Sequence, residues 1–374
     1  MAGPSTPHPI PWAKPDFWGR EKEYVADALS STWISGGSYL DRLESGVADY
    51  LGTPHALAVA NGTAAIHLAY LAYLAIDLRP GDEVVVPGFC FLAAANIALL
   101  MGAVPVFAEV DPKTWCVTAD AIERVLSPRT RAVVPVHSYG NSCDMAPILD
   151  LCRSRGIVVI EDAAESFATR YRGQATGAIG DLGTLSFQAT KTITTGEGGM
   201  VLTARDDLVE RIKLYRSHGM LRTRYMHDVA GHNFRMTNLQ AALGYAQFER
   251  IDDIVAARAR MMALYSEHLR DFPEVTPQYF AQDVDPVLWA VAVRIDPKAF
   301  PQGRDVVMAQ VGELGIETRP GFYPPTAMPD LYPGPIDIPV CEAISRETIV
   351  LPCYPTLTSD EVGRIVEALR GQKR

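Results

Sequence analysis

The chain has 374 residues, 48% of them hydrophobic, which is enough for a sizeable core and for two domains. Its 34 basic and 44 acidic residues leave a net charge of −10, which excludes a general nucleic-acid binder built on a basic stripe but leaves room for a local basic pocket facing an anionic small molecule. Six cysteines, at 90, 116, 143, 152, 341 and 353, form no Cys-x-x-Cys pair and have no histidine at metal-ligand spacing; with no signal sequence, they are expected as free thiols in a reducing, cytoplasmic compartment with no structural metal.

Residues 1–15 carry prolines at 4, 7, 9, 11 and 15, which exclude regular helix, so an N-terminal arm is expected there. From residue 16 onward short β-branched or apolar runs alternate with helical stretches. The expected strands are Ala56–Ala60, Glu83–Val86, Val104–Phe107, Ala132–His137, Ile157–Ile160, Gly183–Phe187 and Met200–Thr203. This rhythm predicts a mostly parallel seven-stranded sheet with helices on both faces, forming a large α/β domain over 16–250. Its most apolar stretch, Phe89 to Phe107, is interrupted by Asn96, Gly102 and Pro105, so a buried helix followed by a strand is expected rather than a membrane span. A long amphipathic helix is expected from Gln247 to Phe272, where Gly and Pro are absent. Residues 251–374 then read as a smaller C-terminal α/β domain, with strands at Leu288–Ile295 and Ile316–Arg319 and helices at Arg304–Leu314 and Ser359–Leu369. Seven prolines between 320 and 340 predict a long ordered loop.

In such sheets ligands bind beyond the carboxyl ends of the strands, and four of these ends carry chemistry. After Ala56–Ala60, Asn61-Gly62-Thr63 opens a helix expected to run to about Ala75; free N–H groups and a threonine hydroxyl suit a phosphate, and the alternative is an ordinary cap. Ile157–Ile160 delivers Glu161 and Asp162, carboxylates that need a cationic partner if buried. Asp162 is the candidate partner of a protonated pyridine nitrogen, the alternative being a structural ion pair with an arginine; Glu161 is expected to face away, since neighbouring strand residues alternate. Val85-Val-Pro-Gly-Phe-Cys-Phe91 brings aromatic rings to the same edge, to stack on a ligand or to fill the core. Lys191 lies between an apolar run and the glycine-rich Gly196-Glu-Gly-Gly199, where a partly desolvated amine would be nucleophilic; the alternative is a solvated surface lysine. Arg216, His218, Arg222, Arg224 and Gly231–Asn238 read either as phosphate donors or as a solvated loop. Together the phosphate cradle, carboxylate, ring and lysine describe a pyridoxal phosphate enzyme with Lys191 as covalent anchor.

Ala60-Asn-Gly-Thr-Ala-Ala65, Pro80-Gly-Asp-Glu-Val84, Glu161-Asp-Ala-Ala164, Gly180-Asp-Leu-Gly183, Lys191-Thr-Ile-Thr-Thr-Gly-Glu-Gly-Gly199 and Arg235-Met-Thr-Asn-Leu-Gln-Ala-Ala242 resemble the nucleotide-sugar aminotransferases of the DegT/StrS type. The resemblance runs from about Ile10 to the C-terminus and implies the aspartate aminotransferase fold (fold type I) with pyridoxal phosphate as cofactor. It implies that Lys191 holds the cofactor, Asp162 pairs with its ring nitrogen and Phe91 stacks on the ring. Gly62, Thr63 and Ser186 would bind the phosphate. Glu165 falls where many members carry Gln near the phenolic oxygen. Asn233 would reach the phosphate from a neighbouring subunit, implying a homodimer with shared sites. Within the family the chain looks most like the branch that aminates a nucleotide-linked 4-keto-6-deoxy sugar, with L-glutamate as donor. Gln188-Ala189-Thr190 and Thr326 depart from that branch's pattern, which leaves a 3-keto sugar nucleotide or a keto-cyclitol as alternatives. A non-catalytic ligand sensor would not need lysine, carboxylate and phosphate loop together. A family branch that replaces the lysine with histidine dehydrates instead, and Lys191 argues against that chemistry.

Overall fold

A computed structural model describes residues 8–74 and 79–374. Helices α1 (Glu21–Ser30) and α2 (Ser38–Leu51) lead into strand β1 (His55–Val59) and helix α3 (Gly62–Leu74). Strand β2 (Glu83–Pro87), helix α4 (Ala93–Leu100), strand β3 (Val104–Ala108), helix α5 (Ala119–Val125), strand β4 (Thr130–Val133), helix α6 (Met145–Ser154) and strand β5 (Val158–Asp162) continue the alternation. A short hairpin, β6 (Arg170–Tyr171) and β7 (Gln174–Ala175), precedes β8 (Leu182–Ser186) and β9 (Gly199–Thr203). Helices α7 (Asp206–Arg216), α8 (Asn238–Phe248) and α9 (Ile251–Leu269) follow, then strands β10 (Val275–Pro277), β11 (Val284–Asp285) and β12 (Val291–Ile295). Helix α10 (Arg304–Glu313), strand β13 (Arg319–Pro320), helix α11 (Pro339–Glu347), strand β14 (Thr348–Leu351) and helix α12 (Ser359–Arg370) close the chain.

All seven expected strands form one sheet, in the order β1-β9-β8-β5-β4-β2-β3. Only β9 runs against its neighbours; β2, β3, β4, β5 and β8 pair in parallel. The two-residue period of a strand distributes the sheet's side chains to two apolar layers. Val84, Val86, Val158 and Ile160 pack on one face with α3 and α4, while Val85, Val133 and Val159 pack on the other with α5 and α6. The apolar stretch 89–107 is the buried helix α4 followed by β3, as its polar interruptions imply. Among the described residues no helix is long and apolar enough to cross a membrane. The helix expected to reach Ala75 is seen to Leu74, and Ala75 lies outside the described residues, as do the prolines at 4 and 7.

Three expectations change in the C-terminal half. The single helix expected over Gln247–Phe272 is two, because Arg250 leaves helical conformation (φ −115°, ψ 22°) to donate to the Trp18 carbonyl at 2.9 Å and to Asp253. Asp252 and Asp253 then occupy the first turn of α9, where the helix dipole favours anions. The strand expected at Ile316–Arg319 is reduced to Arg319–Pro320, because Ile316 forms an isolated bridge with Ile10 of the N-terminal segment. The proline-rich stretch contains a 3₁₀ turn, Pro325–Ala327, and gives way to α11 at Pro339. A four-stranded antiparallel sheet, β10-β12-β14-β13, packs with α9, α10 and α12 around Met261, Val293, Val311, Ile349 and Ile365.

Candidate active site

The carboxyl ends of β1, β5 and β8 lie at one edge of the large sheet, and the turn before antiparallel β9 returns to it. A cavity of about 700 Å³ opens at this edge. Its walls include Asn61, Gly62, Thr63, Phe91, Asp162, Glu165, Ser186 and Lys191, segments more than a hundred residues apart in sequence.

Asn61 shapes the first turn of α3. Its Oδ1 accepts the Ala64 N–H at 2.8 Å and its carbonyl accepts the Ala65 N–H at 3.1 Å. The N–H groups of Gly62 and Thr63 remain without an intrahelical acceptor, as first-turn donors do, and the positive end of the helix dipole adds to them. Gly62 is required by close approach: a Cβ there would lie 2.9 Å from the Ser186 Cβ and 3.2 Å from its Oγ. The Ser186 hydroxyl therefore stands beside the helix start. Gly199 meets the same corner, where a Cβ would come within 2.6 Å of the Asn61 carbonyl.

The two carboxylates at the end of β5 have separate fates. Asp162 lines the cavity and accepts the Ala164 N–H at 3.1 Å. Burial raises its carboxyl above the ordinary range, and the Ala164 N–H and Lys191 pull it back. Glu161 faces away, as alternation implies, but it is fully buried rather than solvated. It accepts the N–H groups of Gly177, Ile179 and Gly180 at 2.9, 2.7 and 2.6 Å. His137 Nε2 lies 2.9 Å from it, while His137 Nδ1 accepts the Cys143 N–H at 3.1 Å, which assigns the ring proton to Nε2. Among the described residues neither carboxylate pairs with an arginine, so the structural ion-pair alternative is not realised.

Glu165 is three residues on and turns back into the cavity. It accepts the Tyr139 N–H at 3.0 Å and lies 3.7 Å from Lys191 Nζ, an ion-pair distance rather than a hydrogen bond. Burial pushes its carboxyl up to about 7, against the pull of Lys191. Lys191 is itself only 14% exposed, and burial lowers its amine below the usual lysine range. Its turn is held by side chains. Gln188 Oε1 accepts both the N–H and the hydroxyl of Thr190, at 2.9 and 2.7 Å. Gln247 Oε1 accepts the Thr194 N–H at 3.0 Å.

The structure places three further residues singled out in the sequence. Phe91 lines the cavity at its rim, 62% exposed and edge-on to Phe322 at 6.4 Å, while its neighbour Phe89 is the ring that fills the core. Asn233 is exposed, bridges to Ser217, and is not among the residues lining the cavity of its own chain; Phe234 is. Thr326 is likewise absent from the lining, where its loop contributes Phe322. Of the basic stretch, Arg216 pairs with Glu44 and donates to the Ala58 carbonyl, whereas Arg222, Arg224 and Arg235 line a separate depression of about 260 Å³. Sequence reasoning missed His67, Phe234 and Trp289, all of which line the cavity. His67 was traceable in principle, five residues after Gly62 on the same helix, where burial lowers its imidazole below the usual range.

The donor set suits pyridoxal phosphate. A helix start with two free N–H groups and two hydroxyls suits a phosphate dianion. A buried carboxylate with no arginine partner among the described residues suits a pyridinium nitrogen, and an amine of lowered basicity suits the aldehyde. Residues 16–370 match the DegT/DnrJ/EryC1/StrS aminotransferase family. The chain is 41% identical to the GDP-perosamine synthase of Caulobacter vibrioides, over 96% of each chain. It is 35% identical to EpsN of Bacillus subtilis, provisionally named a pyridoxal phosphate-dependent aminotransferase, over 95% of this chain and 93% of that one. The crystal structure of the aminotransferase TlmJ from Streptoalloteichus hindustanus superposes with a TM-score of 0.91 at 29% identity, covering 97% of this chain and 98% of that one.

Proposed function

We propose, from the premise that the chain belongs to the DegT/DnrJ/EryC1/StrS aminotransferase family, that it aminates C4 of a GDP-linked 4-keto-6-deoxy sugar with L-glutamate as amino donor, as in perosamine formation. The chain is a pyridoxal phosphate-dependent sugar aminotransferase acting on a nucleotide-linked keto sugar; the proposal concerns which sugar and what each residue does. The observation that carries the residue roles is the meeting, in one cavity, of Lys191, Asp162 and the start of α3.

Pyridoxal phosphate, when bound, supplies an electrophilic carbon for amines and an electron sink for the carbanion left by proton loss. Lys191 is assigned as its covalent anchor. Burial lowers the Lys191 amine, so more of it is neutral near pH 7, and Nζ can then take up and return a proton once the donor amine has displaced it. Asp162 would be the partner of the ring nitrogen, whose positive charge would offset the burial that raises this carboxyl, and the Ala164 N–H keeps the side chain in place. The Gly62 and Thr63 N–H groups, with the Thr63 and Ser186 hydroxyls, would hold the phosphate. Phe91, at the cavity rim, would cover the ring from the solvent side. Glu165 sets the charge beside Lys191.

Asn233 is assigned to the cavity of a second copy of the chain. Its exposure outside its own cavity supports this, as do the exposed apolar side chains Trp33, Ile34, Leu221, Tyr225 and Met226 on neighbouring segments. The six cysteines, all free and buried, support a cytoplasmic setting. The purified chain, supplied with pyridoxal phosphate, L-glutamate and a panel of nucleotide-linked keto sugars, is expected to aminate the GDP-linked 4-keto-6-deoxy sugar best, read by mass spectrometry. Preference for a 3-keto sugar or a keto-cyclitol would overturn the assignment.

A further inference from the structure

Trp289 lies ninety-nine residues after Thr190 in sequence and against it in space, its indole Nε1–H donating to the Thr190 carbonyl at 2.9 Å. The face of the same indole covers the lysine, with Lys191 Nζ 3.8 Å from the ring centroid. The indole is itself fixed from several sides. Arg258 donates to the Trp289 backbone carbonyl at 2.9 Å. Trp12 meets the ring edge-on at 5.9 Å, and Tyr139 and Phe322 lie nearly parallel to it at 5.9 and 6.5 Å.

We propose that Trp289 is a positioning residue for Lys191: its ring face holds the free ammonium at the cavity wall, and its N–H pins the turn that carries the lysine. The proposal rests on Lys191 being the covalent anchor. A cation over an indole face is attracted by the ring's negative quadrupole, more strongly where water is excluded. The ring gives this attraction without offering a proton acceptor, so it can retain the lysine within reach while the donor's amine occupies the reacting carbon. The hydrogen bond to Thr190 fixes the backbone one residue before the lysine, so the same side chain controls both ends of the lysine's reach. Glu165 and Asp162 also face the amine; Glu197 and His67 line the same cavity, and Lys14, Asp16 and Arg258 line the small space behind the turn. All of these are common to parent and variant, and graded fluorination, which keeps the indole's cover over the amine, separates the attraction of the ring face from burial.

The test is the pH profile of Lys191 modification by an amine-reactive ester in the full-length cofactor-free chain, mapped by mass spectrometry. Loss of the ring removes an attraction for the charged form, so Trp289→Leu is expected to move the labelling midpoint to lower pH by about half to one pH unit, and Trp289→Phe by less. Both variants are expected to speed amide exchange in the turn around Thr190, because neither retains the N–H. An unchanged midpoint in a Trp289→Leu chain with the parent's melting temperature overturns the proposal. If that variant does not fold, graded fluorination of the tryptophans weakens the ring face with little change of shape; a stepwise fall of the midpoint supports the clamp, and a flat series overturns it. Mass mapping of the parent after borohydride reduction with cofactor separates the two assignments, since a cofactor attached at a residue other than Lys191 overturns the anchor itself.

Discussion

Lys191 and Glu165 form a pair in which burial works on both members in the same sense. Each is driven toward its neutral form, and their mutual attraction opposes this. Because the Glu165 carboxyl is raised from 4.5 to about 7, the native chain holds its proton more tightly than the unfolded chain. The stability this contributes is present below the ordinary value and is lost as pH rises to about 7. Glu165→Gln removes that ionisation. In the cofactor-free state the variant is expected to match the parent near pH 4.5 and to exceed its stability above about pH 7 by roughly 1–3 kcal/mol. Urea midpoints at the two pH values check it, and a difference independent of pH would mean that Lys191 cancels the desolvation. At this scale the sequence was informative about chemistry and silent about orientation. Asp162 and Glu161 separated to opposite faces as strand alternation requires. That Glu161 would be buried against three N–H groups and His137 depends on the loop 177–180, whose path no local pattern states.

Among the elements, α3 carries the most function in the least space. Its start presents donors because a helix cannot satisfy its own first turn, and its closeness to β8 leaves no room for a side chain at Gly62. Gly62→Ala is expected to weaken retention of pyridoxal phosphate by at least about tenfold, or about 1.4 kcal/mol, measured by equilibrium dialysis. The cofactor-free chain should change by less than about 1 kcal/mol, as better helix propensity offsets the crowding against Ser186. Retention equal to the parent would show that the cradle yields to a methyl group. The strand-to-helix switch at 59–62 was legible because turn chemistry is local. The break between α8 and α9 was not, since it is made by Arg250 reaching the Trp18 carbonyl, more than two hundred residues earlier in the chain.

For the whole molecule, the assignment of Asn233 to a second copy has a direct consequence. Chains carrying Lys191→Ala and chains carrying Asn233→Ala, each inactive, are expected to regain activity when unfolded and refolded together. Random pairing gives one intact site in half of the dimers, so recovery should reach about a quarter of the parent's activity. A mixture that stays inactive would return Asn233 to a local role. Asn233 lies outside the cavity of its own chain, and Phe91, whose aromatic character was foreseen, sits at the cavity rim, a place that was not. The sequence by itself determined the strand-helix alternation, the mostly parallel sheet and the identity of the groups at its carboxyl edge, because periodicity, turn residues and strand ends are properties of short segments. The tertiary structure alone decided that Trp289 covers Lys191, that Glu165 turns toward the amine and that Thr326 stays out of the cavity. Those outcomes depend on how segments a hundred residues apart pack, and packing is settled by shape and burial across the whole core rather than by any pattern along the chain.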